Sequence, residues 1–178
     1  MSDIVGISDG TFAVIGLIFG LIDMGANHCP NEGCLARNEV PGYTSVSIGE
    51  TYFQEAHQGE ELYFRRDTKL AFGPFQNIYG ASISNDGEFW VGAGHAWTQP
   101  YFDRRAYIQL HAMTGLYAKG DGVDLGGPIE FRSGIEVGYQ ARNGLRMGLG
   151  FDHRSNAGLY SDNPGLETIH FRVSIPTR

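Results

Sequence analysis

A two-residue rhythm constrains this chain more than any other feature, because it groups charged side chains with glycine on one face. Between residues 129 and 140, Ile129, Phe131, Ile135, Val137 and Tyr139 share one parity. Glu130, Arg132, Gly134, Glu136 and Gln140 share the other. In an extended chain successive side chains point to opposite faces, so this run predicts a strand with an apolar face and a charged face. The same rhythm sets Ile108, Leu110, Ala112 and Leu116 against Gln109, His111 and Gly115, and Ile169, Phe171, Val173 and Ile175 against His170, Arg172 and Ser174.

From residue 43 onward no helical period is sustained. Eight extended runs are expected: Tyr43–Ala56, Glu61–Phe72, Phe75–Ser84, Glu88–Trp97, Ala106–Ala118, Ile129–Ala141, Leu145–Ser155 and Glu167–Ile175. Turn residues separate several of them: His57-Gln58-Gly59, Gly73-Pro74, Asn85-Asp86-Gly87 and Arg142-Asn143-Gly144. Asn-Gly and Asp-Gly are strong hairpin signals. An even number of strands with short connections points to an up-and-down antiparallel barrel.

Two kinds of barrel fit. A soluble lipid-binding barrel would turn its apolar face inward. Charged and amide side chains alternating with glycine on one strand fit a polar lumen better, and with it an apolar, aromatic-trimmed exterior. Runs of about 9–11 residues are also what a tilted transmembrane strand needs. The expectation is all-β: an eight-stranded antiparallel transmembrane β-barrel preceded by an apolar segment. Arg66 is an exception, falling on the apolar parity of its run.

Length and composition agree with one barrel domain. The 178 residues include 26 glycines, 12% aromatics and only 19% charged side chains, with no low-complexity tract. A net charge of −7 argues against nucleic acid as a partner, which needs a basic field. Residues 1–28 form an apolar leader or a membrane-associated helix, 29–42 a linker and 43–178 the barrel. Gly10–Ile22 is uncharged and apolar, short for a spanning helix and suited to the core of a signal peptide. Yet the first basic residue is Arg37, and Asp3 and Asp9 precede the run. Three readings stay open: an atypical export signal, a retained membrane-associated helix, and a mis-assigned start. Cys29 and Cys34 would close a small disulfide loop in an exported chain and stay reduced otherwise.

One stretch carries chemistry. His153-Arg154-Ser155-Asn156-Ala157-Gly158 places a histidine two residues before a serine, and Glu167 opens the last run. These are the parts of a hydrolytic nucleophile, its base and the group that orients the base. A polar loop leaving a strand would look the same. Parity separates the two readings: His153, Ser155 and Glu167 share the outward face of their runs with Phe151, Ile169 and Phe171. A register that pairs His153 with Glu167 centres the connection on Tyr160. Three polar groups on a lipid-facing surface are costly without a purpose.

At these residues the chain resembles the lipid A 3-O-deacylases of the PagL type, also described as acyloxyacyl-hydrolase-like proteins. The resemblance rests on His153-x-Ser155-Asn156-Ala157-Gly158, on the spacing to Glu167 and on the strand count. It implies a barrel in the bacterial outer membrane that removes the ester-linked 3-position acyl chain of lipid A, with no metal or cofactor. Lipid A or lipopolysaccharide and membrane lipid would be its partners. It further implies Ser155 as nucleophile, His153 as base, Glu167 as orienting acid, and Asn156 and Gly158 as oxyanion donors. Arg154 is a candidate to meet a lipid A phosphate, or else a solvated loop arginine. Two features depart from ordinary outer-membrane barrels: the leader lacks basic residues, and Ser174-Ile175-Pro176-Thr177-Arg178 carries no terminal aromatic. They leave an alternative open, a non-enzymatic barrel serving as a structural or accessory subunit of a membrane assembly; a homodimer is a separate option for the partner.

Other constellations carry less. His95, His111 and His170 lie on different runs, and no metal is expected. The inward parity of His111 and His170 assigns them to a lumen network. Gly120-Asp121-Gly122 with Asp124 lacks the spacing and terminal Glu of a calcium loop.

Overall fold

The alternating runs fold as long antiparallel strands. The computed structural model describes residues 10–177; residues 1–9, where the expected leader begins, and Arg178 lie outside the described residues. In chain order the strands are β1 (Arg37–Glu39), β2 (Tyr43–Phe53), β3 (Ala56–Phe72), β4 (Phe75–Ser84), β5 (Phe89–Tyr101), β6 (Ala106–Ala118), β7 (Ile129–Gln140), β8 (Arg146–Ser155) and β9 (Leu166–Pro176). From β2 onward neighbours in sequence pair antiparallel, β2 also pairs with β9, and the eight strands β2–β9 thereby close a barrel. Short β1 continues the line of β2 by pairing with the last residues of β3, from Arg37↔Phe72 to Glu39↔Leu70. Closure removes the unpaired sheet edges that a bilayer cannot solvate.

The first hairpin departs from expectation. His57-Gln58-Gly59 lies within β3, and the chain turns at Gln54 and Glu55, both at positive φ (49° and 68°). A two-residue turn of this hand matches the twist of the flanking strands. A register shift between Thr51 and Tyr52 absorbs the offset.

Paired charges fill much of the lumen. Arg132 bridges Glu61 and Asp152 at 2.7 Å each, Arg172 reaches Glu136 at 2.5 Å, and Arg65 pairs with Asp67 at 2.7 Å. The guanidinium of Arg132 also lies over the Tyr63 ring, 4.0 Å from its centre. His111 and His170 point into this network beside Asp152, as their parity predicts. Buried charges survive only when paired in this way. The outer face carries the opposite chemistry: Ile48, Leu116, Leu149 and Ile175 are exposed. Arg66 does point outward, near one rim, where it donates to the Thr44 hydroxyl at 2.6 Å.

Gly10–Ile22 becomes α1 (Thr11–Asp23), continued by a π-helical turn at Met24–His28. Thr11–His28 is long and apolar enough to cross a membrane by length and composition. α1 lies on the outside of the barrel, across β5, β6 and β7. Gly16 faces Leu110, Phe19 stacks on Trp97 at 5.6 Å, and Phe12 meets Phe151 at 5.7 Å. The Trp97 indole N–H donates to Asp23 at 2.9 Å. A Cβ on Gly20 would strike the Phe75 ring, so glycine lets the helix approach there. Leu110 and Trp97 have outward parity yet are buried, because α1 covers them. Cys29 and Cys34 are joined in a disulfide just beyond the helix.

Candidate active site

β8 and β9 are joined by a ten-residue connection, 156–165, at the end of the barrel that also carries connection 119–128. The register across this hairpin sets His153 directly opposite Glu167. Directly opposed side chains on one face have Cβ atoms about 4.5–5.5 Å apart. Here the imidazole Nδ1 lies 3.1 Å from Glu167 Oε1. Ser155 is two residues further along β8 on the same face, about 6.5–7 Å away by strand rise. Gly165 makes room for the ring, since a Cβ there would run into His153 Cε1.

All three side chains belong to the outer face but do not lie open to the surroundings. His153 and Ser155 are each only 4% exposed. They line a cleft of about 760 Å³ with Ala93, Ala112 and Ser133, and with Gly10, Ala13 and Val14 at the start of α1. The expectation of side chains simply facing lipid is corrected to this extent: the site is a covered cleft on the outer wall.

Register also uncovers a residue that the sequence reading missed. Ser133 sits opposite His153 on β7, and its partner on β6 is Ala112, which pairs in turn with His95 on β5. A transverse row, Glu167–His153–Ser133–Ala112–His95, thus crosses five strands on the outer face. The signal was present, since Ser133 carries the odd, apolar parity of its run.

The loop residues behave differently from expectation. Asn156 is fully buried, and its amide nitrogen donates to the carbonyls of Leu125 and Asp162, both at 2.7 Å. Its side-chain oxygen accepts from the Gly158 N–H at 3.0 Å, and its own N–H donates to Asn163 Oδ1 at 3.0 Å. Of the donors expected to form an oxyanion hole, the Asn156 amide is occupied in holding two long connections together and the Gly158 N–H in bonding Asn156. Ala157, between them, has φ 54°, a left-handed conformation uncommon for a residue with a Cβ, and it lines the cleft. Its N–H has no acceptor among the described residues.

Arg154 does not reach the cleft. Neighbours on a strand alternate in direction, so it points into the lumen, where it pairs with Glu61 and lies over Tyr117 at 5.7 Å. The solvated-loop alternative fails too, because the side chain is 2% exposed. Among the described residues no cluster of histidine, cysteine, aspartate and glutamate has the form of a metal site.

Comparison with known proteins gives a family and a fold. The family described as lipid A 3-O-deacylase (PagL) matches residues 51–176. Among solved structures, the outer membrane enzyme PagL superposes with a TM-score of 0.59 at 20% identity, over 76% of this chain and 99% of that one. A de novo designed transmembrane β-barrel gives 0.51 at 12% identity, over 78% and 99%. Neisserial surface protein A gives 0.51 at 9% identity, over 80% and 99%. At these identities the structural likeness establishes the barrel alone. A search of curated proteins finds no match. The family match spans every strand from the end of β2 to β9 and includes His153, Ser155 and Glu167, and on that ground the chain belongs to the lipid A 3-O-deacylase family.

Proposed function

We propose that this protein is an outer-membrane serine esterase that removes the 3-O-linked acyl chain of lipid A. The observation that carries the reading is the His153–Glu167 pair at 3.1 Å, with Ser155 in the same cleft. Family membership supports lipid A as substrate. The position of the cleft on the outer wall supports a substrate that arrives laterally from the membrane.

In this mechanism Glu167 holds Nδ1–H and directs the other imidazole nitrogen to the serine. Ser155 Oγ attacks the ester carbonyl while His153 takes the hydroxyl proton. The tetrahedral intermediate collapses by returning that proton to the departing sugar oxygen, leaving an acyl-serine. Water, deprotonated by His153, then attacks the acyl-serine; the fatty acid leaves and the serine recovers its proton. Glu167 remains ionised and stabilises the imidazolium formed in each half. The Ala157 N–H is assigned as a donor to the developing oxyanion, with Asn156 fixing the turn that presents it. One such donor is worth about 10²–10³ in rate.

The test is mass spectrometry of lipid A after incubation with the purified, detergent-solubilised protein, wild type beside Ser155→Ala. Loss of one 3-hydroxyacyl chain with the wild type alone is the expected result. An unchanged lipid A mass with a folded wild-type barrel would overturn the assignment.

A further inference from the structure

α1 precedes the residues matched by the family, yet it covers the outer wall beside the catalytic cleft. Between α1 and the barrel lies a second cleft of about 550 Å³, walled by Gly16, Leu17, Leu35, Phe75, Trp97 and Leu110. It is almost wholly apolar in its lining. The two clefts share three residues: Ala13 on α1, and Ala112 and His95 on the barrel. Ala112 and His95 are also the continuation of the transverse row that begins at Glu167 and His153. The floor between the clefts is therefore one continuous line of cross-strand partners. From His153 to His95 it spans three strand spacings, about 14 Å.

We propose that α1 roofs an acyl-chain channel that runs from Ser155 over Ser133 and Ala112 and past Ala13 to Trp97. This rests on the esterase reading and names where the acyl chain of its substrate lies. Ala13 and Ala112 line both clefts, and neither puts more than a methyl group into the junction. Gly16 brings the helix close: a Cβ there would lie 3.1 Å from Leu110 Cβ. The Phe19–Trp97 stack and the Asp23–Trp97 hydrogen bond anchor the far end of the roof.

The physical role is orientation more than affinity. Lipid tails are as apolar as the channel wall, so moving a chain from bilayer to channel gains little hydrophobic free energy. Confinement does fix the ester carbonyl relative to Ser155, and such positioning acts on rate. The residues at the junction consequently set which chain lengths react well.

The experiment uses the full-length protein in detergent and a series of p-nitrophenyl esters from butyryl to myristoyl. The readout is the ratio of kcat/KM for the myristoyl to the butyryl ester. Ala112→Phe, which narrows the junction from an exposed position, is expected to lower this ratio at least tenfold. Ile175→Phe, on the outer wall away from α1, is expected to leave it within twofold. A second measurement needs no turnover: quenching of Trp97 by bromostearate in the Ser155→Ala protein, where the other tryptophan, Trp90, is shielded in the lumen. Quenching that Ala112→Phe weakens supports the channel. An unchanged ester ratio in Ala112→Phe, or no quenching beyond that of a brominated detergent, overturns it. If the wild type hydrolyses none of the esters, the lipid A assay decides the esterase reading and the Trp97 measurement alone decides the channel.

Discussion

His153 and Glu167 are direct cross-strand partners on β8 and β9, and the imidazole and carboxylate meet at 3.1 Å. The contact is made by strand register, so two residues fourteen apart in sequence are placed by the most rigid part of the fold. Substituting Glu167→Gln keeps the shape but removes the charge that stabilises the imidazolium. Lipid A deacylation is expected to fall about 10²–10⁴-fold in kcat, with little change in KM. Steady-state kinetics on the folded variant checks this, and a change confined to KM would contradict the assigned role.

Gly165 guards the same pair from the other side. A methyl group there would strike His153 Cε1 and lie 3.3 Å from Glu167 Oε1. Gly165→Ala is expected to turn the imidazole and lower kcat by about tenfold or more, since misplacements near 1 Å cost about 10²-fold. The barrel should remain intact, as judged by circular dichroism and by unchanged heat-dependent migration on gels.

Asn156 donates two hydrogen bonds to carbonyls and accepts one from Gly158. An aspartate is close in shape but cannot donate. Asn156→Asp therefore leaves the Leu125 and Asp162 carbonyls facing a buried carboxylate. Each buried polar group left unsatisfied costs about 1–3 kcal/mol. Asn156→Asp should thus damage activity and thermal stability at least as much as Asn156→Ala. Parallel melting curves and ester assays of the two variants test the order.

Arg154 belongs to the lumen, where it shares Glu61 with Arg132. Arg154→Met removes one of two cations from that carboxylate and is expected to lower stability by about 1–3 kcal/mol. KM for lipid A should stay within about twofold, because uniform substrate binding is untouched. A large rise in KM without loss of stability would return Arg154 to the substrate site.

Strand parity alone determined much of this protein. β4 and β6 begin and end where the alternation does, and the other barrel strands differ from expectation by a few residues at their ends. The physical reason is the fixed period of two: once one face is apolar and the other charged, both the inside and the outside of a closed barrel follow. The same period permits a register, with the connection centred on Tyr160, that pairs His153 with Glu167, and the barrel adopts it. The first turn carries no compositional mark, because Gln54 and Glu55 take positive φ without being glycine.

Only the tertiary structure decided what lies over and beside the site. Arg154 reads as a loop cation in sequence, and its ion pair with Glu61 depends on barrel closure bringing β3 across the lumen from β8. Asn156 reads as an oxyanion donor until the connections at Leu125 and Asp162 converge on its amide. Between Thr11 and Asp23 α1 is apolar all round, so composition shows a membrane-compatible helix but not its seat on β5, β6 and β7. That seat is chosen by local shape, with Gly16 against Leu110 and Phe19 against Trp97. Period and polarity are properties of neighbours along the chain, whereas these contacts join residues that only the closed barrel brings together.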